Sequence, residues 1–103
     1  MRMIKWTCDV ISGNLREARK YIEKAYEMRE SCRPVADWCR DMAARHLEFN
    51  VQGHAIAKKM IEDFAESGKQ SELAPGMQAV YADIHADMMR DSAEIQAMIA
   101  GYK

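Results

Sequence analysis

From Pro34 to Ser67 the apolar residues return at three- and four-residue steps: Val35, Trp38, Cys39, Met42, Ala43, Phe49, Ile56, Ala57, Met60, Ile61 and Phe64. With no internal proline and one glycine, that period predicts one long amphipathic helix. Midway the stripe becomes small and polar, with His46, Asn50, Gly53 and His54. A second stripe runs through Leu15, Ala18, Ile22, Ala25 and Met28 under a charged cover. A third runs through Met77, Val80, Tyr81, Ile84, Met88, Ile95, Met98 and Ile99.

Local signals place the boundaries. Asn14 followed by Glu17 fits a capping box in kind. This predicts a first helix over 14–31, with 1–12 as an extended arm or an early helical turn carrying Ile4, Trp6, Val10 and Ile11. Arg33 precedes a proline and is pushed out of the helical region. Pro34 suits a first turn, and Ser67-Gly68 supplies a glycine stop, giving a helix over 34–67. A polar loop follows over 69–74, and Pro75-Gly76 opens a third helix over 75–100 that Gly101 ends.

These elements predict an all-α single domain over 1–103, an elongated antiparallel three-helix bundle. The wide apolar arc of helix two makes it the expected central helix, ~50 Å long against ~25–40 Å for its neighbours. So long a bundle has a thin core, and Trp6, Trp38, Tyr21 and Tyr26 exceed what it readily hides. Self-association, most simply a two-fold homodimer, is the expected way to complete it.

Composition agrees with a helical globular chain: nine methionines stand against two prolines and five glycines. A net charge of -1, with acidic and basic residues interleaved, gives no electrostatic reason for nucleic-acid or anionic-membrane binding. No apolar run approaches the ~18 residues of a membrane span, and the charged opening Met-Arg-Met-Ile-Lys-Trp leads into no apolar core. Cys8, Cys32 and Cys39 are an odd set, read as reduced thiols in a cytoplasmic protein.

The polar break in helix two is the first candidate site. His46, Asn50 and His54 lie at i, i+4 and i+8, each ~40° around the helix from the last. Folding helices two and three back about Ser71 sets His54 level with about Met88. This brings His85, Asp87 and Asp91 near the histidines. A metal held by His46 or His54 with those residues is one reading. However, His46 and His54 stand ~12 Å apart along the axis, so helix two gives one histidine per ion. The adopted reading is a hydrogen-bonded polar layer that fixes helix register, with no cofactor.

Other chemistry lacks its motif. No histidine has a glutamate three residues before it, so the Glu-x-x-His pair of di-iron bundles is missing. There is no C-x-x-C, phosphate loop, G-x-S-x-G or H-E-x-x-H. Cys39 and His46 lie ~10 Å apart along the helix, too far to act as a nucleophilic pair. The methionines are read as core filling. Helix three presents Asp83, Asp87, Asp91 and Glu94 against only Arg90 and Lys103. That acidic face is the candidate partner-binding surface and suggests an inhibitor that imitates nucleic-acid phosphates.

The segments Ala36-Asp37-Trp38, His46-Leu47-Glu48-Phe49-Asn50 with Gly53-His54, and Ala74-Pro75-Gly76-Met77-Gln78-Ala79-Val80-Tyr81 resemble those of small uncharacterised helical proteins of bacterial and prophage genomes. The resemblance implies a mobile-element origin, a class that includes scaffolds and inhibitors of host defence, and brings no function with it. The sequence thus predicts a non-enzymatic module that binds a protein partner and itself, without direct nucleic-acid or membrane binding.

Overall fold

The computed structural model describes residues 2–66 and 77–103, with side chains over 3–63 and 82–103. Three helices account for nearly all of it: α1 Arg2–Met28, α2 Arg33–Glu66 and α3 Met77–Gly101. The expected loop over 69–74 and the Pro75-Gly76 start lie outside the described residues. The molecule measures 55 × 18 × 18 Å. At 1.5 Å per residue α2 alone is ~51 Å long and sets the long axis.

The separate N-terminal arm is not present: α1 runs unbroken from Arg2. Its first half carries Ile4, Cys8, Ile11 and Leu15, all buried and all on one helical face. The stripe continues without a step into Ala18, Ile22 and Ala25. Thr7 Oγ1 donates to the Met3 carbonyl at 2.7 Å within this first stretch. Gly13 costs the helix about 1 kcal/mol relative to alanine, which burial of the stripe outweighs. Asn14 is therefore a helix-interior residue rather than a cap.

α1 ends at Met28, three residues before the expected stop. The Cys32 N–H donates to the Met28 carbonyl at 2.8 Å, and the Ala36 N–H to the Cys32 carbonyl at 3.0 Å. The turn thereby satisfies groups at the end of one helix and the start of the next. Pro34 falls in the first turn of α2, where its missing N–H costs nothing.

The order of the helices also differs from expectation. α1, not α2, is the central element: it packs against α2 along its length and against α3, while α2 and α3 touch less. α2 is apolar over a wide arc, but Trp38, Phe49 and Ile56 on that arc face solvent. The α1–α2 seam is built from small residues. Ala18, Ala25, Ala36 and Ala43 are fully buried, and a Cβ at Gly53 would stand 3.1 Å from Ile11 Cγ1. Small side chains let the two backbones approach closely. α3 adds Met88 and Ile95 to the core.

One end of the bundle is fastened by tyrosines. The Tyr26 hydroxyl donates to the Met98 carbonyl at 2.7 Å, and the Tyr102 hydroxyl to Asp37 Oδ1 at 2.7 Å. The two rings meet edge to face at 5.7 Å. Arg29 lies over Tyr26 at 5.6 Å and Arg33 over Tyr102 at 5.4 Å. Tyr102 thus ties the residue after α3 to the first turns of α2.

Candidate functional site

The polar residues of α2 separate into two arrangements facing different helices. His46 turns to α1: its ring stacks on Tyr21 with centroids 5.5 Å apart and planes 18° apart. Its Nδ1 lies 3.4 Å from Asn14 Oδ1, a hydrogen bond when that nitrogen carries the proton. His54 turns to α3, where its ring meets that of His85 at 4.5 Å between centroids and 44° between planes. Of the helix-three residues expected near the histidines, His85 is the one whose ring meets His54.

Between them Asn50 is only 3% exposed, and neither its side-chain oxygen nor its nitrogen has a hydrogen-bond partner. The buried Nε2 of His54 also lacks one. The expected hydrogen-bonded layer is therefore realised at His46 and Asn14 alone. Burial, His85 and the charge of Lys58 hold the His54 imidazole below the usual histidine range.

The carboxylates proposed beside the histidines are engaged elsewhere. Asp87 Oδ1 lies 3.3 Å from Arg90 Nη2. Asp91 lies 3.8 Å from Arg90 and 4.0 Å from Arg19. Glu94 accepts from Arg19 Nη2 at 2.8 Å. Among the described residues no group of three His, Cys, Asp or Glu side chains gathers as a metal-ligand set. The same pairs matter for the acidic face of α3. Arg19 reaches across from α1 to Asp91 and Glu94, and Arg90 meets Asp87. Much of the charge of the Asp83, Asp87, Asp91 and Glu94 run is therefore balanced within the chain. Beside these pairs an open cleft of about 230 Å³ lies between α1 and α3, with Arg16, Arg19, Asp87 and Asp91 around its apolar floor of Leu15, Met88 and Ile95.

All three cysteines are unpaired, Cys8 and Cys39 buried and Cys32 half-buried. Cys39 is a core residue, as its spacing predicted. Burial, with Asp9 nearby, pushes the Cys8 thiol up from its ordinary value, away from the reactive thiolate. Of the described methionines, Met88 is buried while Met89 is 52% exposed, so the core-filling reading holds for the first and not the second.

The largest unassigned feature is apolar and exposed. Val35, Met42, Phe49 and Ile56 follow at seven-residue intervals on α2, with Trp38 on the same side. At 100° per residue the five fall within an arc of about 60°. Trp38, Phe49 and Ile56 are 60%, 63% and 57% exposed. On α1, Met3, Trp6 and Val10 are also exposed. Arg19 shows which flank of α1 faces α3, and Asn14 and Tyr21 show which faces α2. Counting around both helices from these contacts puts the α1 and α2 stripes on one side, turned away from α3. Tyr21 and Tyr26 are absorbed into helix contacts, so the exposed aromatic surface is carried by Trp6, Trp38 and Phe49.

No protein-family model, curated protein or solved structure matches the chain. No described helix is long and apolar enough to cross a membrane.

Proposed function

We propose that the protein is a non-enzymatic helical interaction module, that it acts through protein–protein contact, and that a second copy of itself occupies the apolar side of α1 and α2. The observation behind this reading is the heptad stripe of Val35, Met42, Phe49 and Ile56, exposed except at half-buried Met42, with exposed Trp38 beside it. An apolar heptad repeat is the pattern one helix offers to another. Its neighbours on α1 extend the same surface.

Area supports the reading. An aromatic side chain buries about 150–250 Å², so Trp6, Trp38 and Phe49, each about 60% exposed, offer roughly 300–450 Å² together. Met3, Val10, Val35 and Ile56 extend this toward the ~800 Å² per partner of a standard interface. Apolar patches of this size are uncommon on monomers. The acidic run of α3 is the weaker surface because Arg19 and Arg90 already balance much of its charge.

Light scattering after size exclusion, with native mass spectrometry, tests the assignment. Wild type is expected to run as a dimer at micromolar concentration. Phe49→Glu places a charge in the stripe without touching the core and is expected to yield a monomer of unchanged helicity. A monomeric wild type, or a variant that remains dimeric, overturns the proposal.

A further inference from the structure

His54 and His85 come from different helices and bring their rings together over the α2–α3 seam, 4.5 Å between centroids. A metal bound to imidazole nitrogen stands ~2.0–2.1 Å from that atom and therefore ~3.2 Å from the ring centre. Two such rings on one ion have centroids ~4.5 Å apart at a right angle between ligands and ~5.2 Å apart at the tetrahedral angle. The observed separation falls at the near end of that span. Independently, the Nε2 of His54 is buried with no hydrogen-bond partner. An imidazole nitrogen in that position is normally satisfied by something.

We propose that His54 and His85 form a two-histidine site for a divalent transition-metal ion of the imidazole-binding kind (Zn²⁺, Ni²⁺ or Cu²⁺) that clips α3 to α2. Among the described residues no third His, Cys, Asp or Glu joins them, so water fills the remaining coordination positions. The nitrogen-only ligand set excludes Mg²⁺ and Ca²⁺, which require oxygen donors. His46 takes no part, since Tyr21 and Asn14 occupy it on the other face.

The test uses untagged full-length chain stripped with EDTA and dialysed, titrated calorimetrically with ZnCl₂ and NiCl₂ and melted with and without each. One ion per chain is expected, with a Tm that rises with free metal because the site exists only in the folded state. MgCl₂ is expected to leave Tm unchanged. His85→Gln alters an exposed residue and is expected to lower affinity at least tenfold at unchanged helicity. His54→Gln is expected to do the same, and His46→Gln to bind as wild type. Absence of a metal-dependent rise in Tm overturns the site. So does full affinity in His85→Gln, which would place the ion elsewhere, for instance on Cys32. Equal loss in His46→Gln overturns it as well.

Discussion

Asn50 illustrates how a single side chain can oppose the fold that contains it. It is 3% exposed and its amide has no partner. An unsatisfied buried polar group costs about 1–3 kcal/mol. Asn50→Leu, close in volume and free of polar atoms, is therefore expected to stabilise the protein by about that amount in urea unfolding. A loss of stability would mean that the amide is in fact satisfied. Tyr102 acts in the opposite sense. Burial, the hydrogen bond to Asp37 and the Asp37 charge hold its phenol above the ordinary value of 10.0, with Arg33 and Arg29 opposing. The unfolded chain loses this proton first, near pH 10. The contribution of Tyr102 is therefore intact below pH 10 and disappears as pH rises through the higher folded value. Melting from pH 8 to 11 is expected to show a steeper alkaline loss for wild type than for Tyr102→Phe, and parallel curves would refute this. Neither role was legible in the sequence. A polar residue on an apolar stripe does not reveal whether it will find a partner, and a tyrosine following a glycine carries no periodic signal.

At the level of the helices, the sequence showed three stripes and the approximate ends of α2 and α3. It misplaced the start of α1 because Gly13-Asn14 reads locally as a break and a cap. The continuous stripe Ile4, Cys8, Ile11 and Leu15 argues otherwise once Cys8 is counted as apolar. The sequence also misassigned the central helix, because periodicity counts apolar residues without saying which face the core and which face outward. Helix register brought His85, Asp87 and Asp91 to the level of the histidines without choosing among them, and the structure pairs His85 with His54. The attachment of His46 to Asn14 was hidden, because Asn14 had been assigned to a cap. Observed packing makes α3 the least anchored helix. Its described fastenings are Met88 and Ile95 with partly buried Ile84, Met98 and Ile99, the His54–His85 contact, the partly exposed Arg19–Glu94 pair and the tyrosine end. Surface ion pairs contribute ≤ ~1 kcal/mol. Hydrogen exchange is expected to show α3 amides opening well below the global unfolding free energy while central α1 amides open only globally. Tyr102→Ala is expected to widen that gap. Equal protection across α1 and α3 would exclude a separately opening α3.

On the scale of the whole molecule, the 55 × 18 × 18 Å shape leaves little interior per residue. Among the described residues, only Ile22 and Ile95 are large side chains with essentially no exposure. A rod this thin has most of its apolar residues near a surface, so whether one side is covered decides much of its behaviour in solution. Self-association was the expectation drawn from surplus aromatics. Which surface they form required coordinates, because Tyr21 and Tyr26 turned inward while Trp6, Trp38 and Phe49 did not. The alanine-lined seam between α1 and α2 carries a further consequence, for the order of events in folding. α1 and α2 are consecutive and joined by a short turn, so their contacts close the shorter loop, whereas α3 must return across the longer intervening chain. The α1–α2 hairpin is therefore expected to form in the rate-limiting step, with α3 docking after the barrier. Ala43→Gly, costing about 1 kcal/mol, should chiefly slow refolding, and Ile95→Val, costing ~0.5–1.5 kcal/mol, should chiefly speed unfolding. Stopped-flow chevrons at concentrations where the chain is monomeric separate the two, and the reverse pattern would mean that the barrier is crossed with α3 already in place.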